Sequence, residues 1–179
     1  MSRRVVLIRA VNVGGTAKLP MAHFRAMAQS LGATGVSTYI ASGNMVCTLP
    51  GAAGEFDRAL EQLVEDQCGF FREVISRSPE ELRTALAAHP FEVSNPKFSY
   101  ITFLTSPPRP EAVSAAQELE TGEDRWRVIG SDMHIRYAAG AGRPQMNGPA
   151  VGRTLGVPGT ARNLNTVRKL IALAENQSA

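Results

Sequence analysis

The sequence predicts an α+β protein of antiparallel sheets carrying helices on one face, and three observations lead there. Short apolar or β-branched runs alternate with stretches whose apolar residues recur at helical spacing. Residues 1–77 read in the order β-α-β-β-α-β, the split βαβ or ferredoxin-like (α-β plait) unit. Residues 78–179 read helix first, then β-α-β-β-α in outline, then a last helix. This second α-β plait unit shows no residue-level repeat of the first.

Taken in order, Val5 to Ile8 is a branched aliphatic run, the pattern of a strand buried on both faces. Asn12 to Gly15 breaks it with glycines that tolerate positive φ. Pro20 suits a first helical turn, where its missing N–H has no partner to lose. Met21, Phe24, Ala28 and Leu31 then follow at helical spacing, up to Gly32 and Gly35. Val36 to Ile40 and Met45 to Leu49 read as strands across the turn Ser42-Gly43-Asn44. Phe56, Leu60, Leu63 and Val64 mark a helix ending near Gly69, and Phe70 to Ile75 is the next strand. Ser78-Pro79-Glu80-Glu81 is a helix start with cap, proline and first-turn acids. A strand at Phe98 to Leu104, a helix near Ala112 to Leu119, and a hairpin of Trp126 to Ile129 with Met133 to Tyr137 come next. The glycine-rich loop 140–148 then precedes a short helix at Pro149 to Leu155. Thr160 or Asn163 is expected to cap the last helix, which runs to about Ala174.

Composition is that of an ordinary globular chain, 44% hydrophobic and 20% charged. No apolar run reaches the ~18 residues of a membrane helix. Only four apolar residues separate Arg4 from Arg9, too few for a secretory signal, so a cytoplasmic location is expected. Cys47 and Cys68 lack metal-ligand spacing and read as buried free thiols. The net charge of +3 is unevenly placed. Residues 1–54 and 133–174 contain no Asp or Glu, whereas 55–132 hold fifteen acids against eight bases, a balance of −7. Basic ends around an acidic middle point to an anionic partner, or equally to lysines and arginines that simply solvate helix faces.

Three motifs fall in the basic parts. Asn12-Val13-Gly14-Gly15, between strand and helix, offers exposed backbone amides for an anion; as a plain tight turn it needs no ligand. It is neither a dinucleotide fingerprint nor a phosphate loop ending in Gly-Lys-Ser/Thr. Ser42-Gly43-Asn44 lies, in a βαββαβ order, near one end of the first strand. Residues 160–169 form the densest polar cluster. There Arg162 offers a fork of donors, Asn163 a cap, and Thr166 and Lys169 share a helix face. Capping and packing account for this cluster equally well. No acid lies in any of the motifs, so paired-carboxylate chemistry is not expected there, and His23, His89 and His134 stand isolated. Tyr100, Phe103, Trp126 and Arg127 invite comparison with a base-stacking sheet face, but core packing explains them as well.

At these residues the chain resembles the DUF1697 family, a bacterial family of unknown function. The resemblance rests on the run from Arg9 to Gly15, Leu19-Pro20-Met21, Thr38 to Asn44, Leu155 to Pro158 and Thr160 to Leu170, and spans essentially the whole chain. It implies two ferredoxin-like units and supplies no activity. Family members usually carry glycine where this chain has Ala10 and tryptophan where it has Leu164. They often show Gly-Arg-Ser-Lys-Leu at the positions of Gly142 to Met146.

The leading expectation is a binding protein for a phosphate-bearing small ligand or nucleic acid. Its basic cleft would be built from Arg9, Asn12, Gly14, Gly15, Ser42, Asn44, Arg162, Asn163, Thr166 and Lys169. An enzyme of phosphoryl or acyl chemistry, using Arg9, Arg162 and Lys169 with backbone amides, is the alternative. A ligand-free structural module is the third reading. No cofactor, metal or membrane partner is expected, and sheet edges leave a homodimer open.

Overall fold

The computed structural model describes residues 2–176. The chain divides into two units, residues 1–83 with 168–179 and residues 84–167.

Unit 1 holds β1 (Ser2–Ile8), α1 (Met21–Ser30), β2 (Thr34–Thr38), β3 (Asn44–Leu49), α2 (Ala53–Cys68) and β4 (Val74–Arg77). Its sheet has the order β2-β3-β1-β4 with every pair antiparallel, the ferredoxin-like arrangement expected from the β-α-β-β-α-β order. Val6 and Ile8 of β1 join Met45, Cys47 and Leu49 of β3 on one face. Phe24, Met27 and Ala28 of α1 and Phe56, Leu60 and Val64 of α2 cover that face. Val5 and Leu7, on the other face, are also fully buried. Cys47 lies wholly inside, and burial pushes its thiol up to about 12, so it packs as a small apolar group and does not react.

β4 is an edge strand, and α2 covers the backbone that it would otherwise leave bare. Asp57 accepts hydrogen bonds from the Ser76 amide and hydroxyl, both at 3.0 Å, and Glu61 accepts from the Val74 amide at 2.8 Å. Arg58 donates to the Val74 carbonyl at 3.0 Å and pairs with Glu61 at 2.7 Å. The fit is geometric: four helical residues rise ~6 Å and two strand residues ~6.6 Å. Acids at i and i+4 of α2 therefore meet alternate outward amides of β4, which closes the edge against pairing with another chain. Burial raises the Asp57 carboxyl to about 6 and raises Glu61 as well, against the hydrogen bonds they receive. β4 begins at Val74, not Phe70, because its partner β1 ends at Ile8 and both chains leave the ladder together.

After α3 (Pro79–Ala87), unit 2 holds β5 (Ser99–Leu104), α4 (Pro110–Gln117), β6 (Arg125–Ile129), β7 (Asp132–Arg136), α5 (Gly148–Leu155) and β8 (Gly159–Asn163). α6 (Leu164–Asn176) closes the chain. The expected Ser78 cap is present as a reciprocal pair. The Glu81 amide donates to Ser78 at 3.0 Å, and the Ser78 amide donates to the Glu81 carboxylate at 2.6 Å. The sheet order β6-β7-β5-β8 repeats that of unit 1. Unit 2 is thus a complete βαββαβ, with one strand more than the sequence suggested. Thr160 is not a helix cap; it sits in β8 opposite Phe103 of β5. The strand was hidden because its inward residues are Thr160 and Arg162, neither of them apolar. Tyr100, Trp126 and Val128 pack against a core of Leu104, Ala116, Met133, Ile135, Val151 and Leu155. Phe103 is 1% exposed, so these aromatics serve packing. Among the described residues no helix is long and apolar enough to cross a membrane, and no three His, Cys, Asp or Glu side chains gather to hold a metal ion.

Candidate functional site

The antiparallel pairings of unit 1 bring three loops to one end of its sheet. Leu7 pairs with Asn44, Ile8 with Val74 and Thr38 with Met45. The loop after β1, the turn between β2 and β3, and the segment before β4 therefore adjoin. Hydrogen bonds join them: the Ile8 amide donates to the Gly43 carbonyl and the Arg9 amide to the Glu73 carbonyl, both at 3.0 Å. The expected neighbourhood of Asn12-Val13-Gly14-Gly15 and Ser42-Gly43-Asn44 is thus present within this unit.

The side chains of the two motifs mostly build the loops themselves. Asn12 Nδ2 donates to the carbonyls of Leu19 at 2.8 Å and Ala41 at 2.7 Å, and Oδ1 accepts from the Leu19 amide at 2.8 Å. Asn44 is wholly buried, and its Nδ2 donates to the Tyr39 carbonyl at 3.1 Å and to Ser42 Oγ at 3.0 Å. Gly43, at φ +81°, has no room for a side chain, because a Cβ there would overlap Ile8 and Val11. The Asn and Gly of these motifs are thus explained first as the clasp between loop and turn.

Gly14 and Gly15 differ. With φ of +61° and +75° and a bond from the Thr16 amide to the Val13 carbonyl, they form the tip of a tight turn of the type I′ kind. A Cβ on either would meet nothing within 4 Å, and neither amide has a hydrogen-bond partner among the described residues. Nearby, exposed Lys18 makes no ion pair among the described residues. Arg9 pairs with Glu73 at 3.2 Å. Arg72 donates to the Ala10 carbonyl at 3.4 Å and stacks on Phe70, its carbon Cζ 5.4 Å from the ring centre. It has no carboxylate partner among the described residues.

The same loops hold four non-glycine residues in the left-handed region: Ala10 at +49°, Asn12 at +57°, Ala17 at +48° and Ile40 at +50°. Asn tolerates this, but each alanine pays about 1 kcal/mol or more, and a β-branched isoleucine is a plain outlier. The strain at Ala10 accounts for the glycine that the resemblance implies at that position. Ile40 was expected inside a strand. Instead β2 ends at Thr38 and Ile40 points outward, 53% exposed. Val13 is 58% and Phe71 46% exposed, so each of the three loops presents an apolar side chain.

Arg162, Asn163 and Thr166 belong to unit 2 and Lys169 to unit 1. Arg162 is 8% exposed on β8, where it donates to Thr160 Oγ1 at 2.6 Å and the Ala161 carbonyl at 2.8 Å. Burial lowers its guanidinium to about 10. Asn163 caps α6, its Oδ1 accepting from the Thr166 amide at 2.9 Å, and Lys169 is exposed on that helix.

Several telling residues escaped the sequence. The run Phe71-Arg72 read as strand interior, and its place in the loop cluster follows only from where β1 ends. His89 and His134 meet Nδ1 to Nδ1 at 3.2 Å, although 45 residues apart. Buried Asp124 organises the glycine-rich loop by accepting from the amides of Ala138 at 2.8 Å, Gln145 at 2.7 Å and Met146 at 3.0 Å.

A conserved bacterial protein from Streptococcus pneumoniae has a similar structure, with a TM-score of 0.72. The two chains are 22% identical, and the match covers 97% of this chain and 98% of that one. At that identity the likeness concerns the fold. No curated protein sequence is similar to the chain. Residues 1–134 match the family described as "Protein of unknown function (DUF1697)", and the chain belongs to that family.

Proposed function

We propose that the protein binds a phosphate-bearing ligand at the loop end of unit 1. One observation carries the reading: the Gly14 and Gly15 amides have no hydrogen-bond partner among the described residues and lie at the tip of a turn within a segment, residues 1–54, that contains no acid. Successive free N–H groups with left-handed backbone form a concavity that suits an oxyanion. Lys18, which makes no ion pair among the described residues, supplies a positive charge in the same loop, and Arg9 lies at its base, already paired with Glu73. Ser42 adds a hydroxyl on the adjoining turn. In this reading Asn12 and Asn44 shape the loops. Asn163 and Thr166 start α6, and Arg162 holds β8, so none of these five needs a ligand.

Titration calorimetry with a nucleoside triphosphate tests the proposal. Lys18→Glu should weaken binding about tenfold or more, since it replaces a charge-assisted donor by a repelling charge. Binding should also weaken steadily with added salt. Equal affinity of the variant and the parent would place the ligand elsewhere.

A further inference from the structure

The apolar tips of these loops go beyond what a phosphate alone requires. Val13, Ile40 and Phe71 are exposed, and Ile40 is so from a backbone conformation that glycine or asparagine would hold without strain. Strain retained at an exposed apolar residue marks a place where contact with a partner outweighs the demands of the fold. In the sheet order β2-β3-β1-β4 the three tips follow one another along the end of the sheet: Ile40 between β2 and β3, Val13 after β1, Phe71 before β4. Strands lie ~4.8 Å apart, so the strand ends that carry these loops span about 12 Å. At ~3.4 Å per stacked nucleotide that is three or four bases, longer than a single phosphate or mononucleotide fills.

We infer that the phosphate-bearing ligand is a single-stranded nucleic acid, which rests on the phosphate-binding reading above. Bases lie on Phe71 and against Val13 and Ile40, while the backbone follows Lys18, Arg72 and the Gly14–Gly15 amides. The chemistry matches on both sides. Stacking on an aromatic face is tolerant of sequence, and cations tracking the strand supply the charge complement. Glu73, the acid at this end, is neutralised by Arg9 and does not oppose it.

The test is fluorescence anisotropy with a labelled oligothymidylate of about 12 nucleotides, competed by pyrophosphate, thymidine triphosphate, and vesicles of phosphatidylcholine with phosphatidylglycerol. The strand should bind at least tenfold more tightly than pyrophosphate or the mononucleotide. Phe71→Ala should weaken it about tenfold with an unchanged melting temperature. Ile40→Gly should weaken it similarly while raising the melting temperature, a combination that a merely structural role cannot produce. If the strand binds no more tightly than pyrophosphate, if both variants leave it unchanged, or if the vesicles are preferred, the single-strand assignment is overturned and phosphate binding stands. Absence of binding to every one of these probes would overturn both.

Discussion

Asp124→Ala is expected to destabilise the protein by about 3–5 kcal/mol, the range of lost buried hydrogen-bond networks. Asp124 is wholly buried, and its two oxygens receive three backbone amides from residues 138–146. These bonds to a charged acceptor are the strong kind, and truncation leaves three donors without a partner. The same loop is also held by Gln145, which accepts from the Glu123 amide at 2.8 Å, and by Met146, which is buried in the core of the unit. Asp124→Asn keeps one acceptor oxygen and should cost less, about 1–2 kcal/mol. Urea denaturation followed by circular dichroism reads both. Equal stability of the alanine variant and the parent would refute the role given to this carboxylate.

The second large effect is a pair of opposite pH dependences that nearly cancel. Burial lowers His134 from 6.5 to about 4, with neighbouring His89 adding to the shift. Its Nε2 is buried without a partner among the described residues, so the folded state holds it neutral while the unfolded chain takes up a proton below pH 6.5. Stability from this group is complete above pH 6.5 and falls by about 3 kcal/mol on the way to pH 4. Asp57 works the other way. Burial raises it from 3.8 to about 6, so between those values the folded state binds the extra proton. Acidification from pH 6 to pH 4 therefore stabilises the protein by about 2 kcal/mol through this group. Measured against the parent across pH 7 to 4, His134→Gln should gain stability as the pH falls, and Asp57→Asn should lose it. Parallel curves for parent and both variants would show that neither group titrates differently in the folded and unfolded chain.

Much of the fold was legible because its strands announce themselves locally. Val5 to Ile8 is apolar throughout, Ser42-Gly43-Asn44 and Gly130-Ser131 punctuate hairpins, and Ser78 with Glu81 spells a helix start. What escaped was carried by polar residues whose purpose is visible only in three dimensions. β8 points Thr160 and Arg162 inward, so it lacks the alternation that signals a half-buried strand. Asp57 and Glu61 look like a solvated helix face until the outward amides of β4 are placed beside them. The candidate site was half legible. The β-α-β-β-α-β order implies that the first loop and the hairpin tip adjoin, and glycines marked both. Nothing in the sequence shows that Ile40 adopts a left-handed backbone, or that Phe71 leaves the ladder, since both depend on where neighbouring strands stop.

The turn at Gly14 and Gly15 is where the functional account is most exposed to test. Amide proton–nitrogen spectra recorded while pyrophosphate is added should show saturable shifts that are largest at Gly14, Gly15 and Lys18. Shifts confined to residues 160–166, or none at these three amides at saturating ligand, would contradict it.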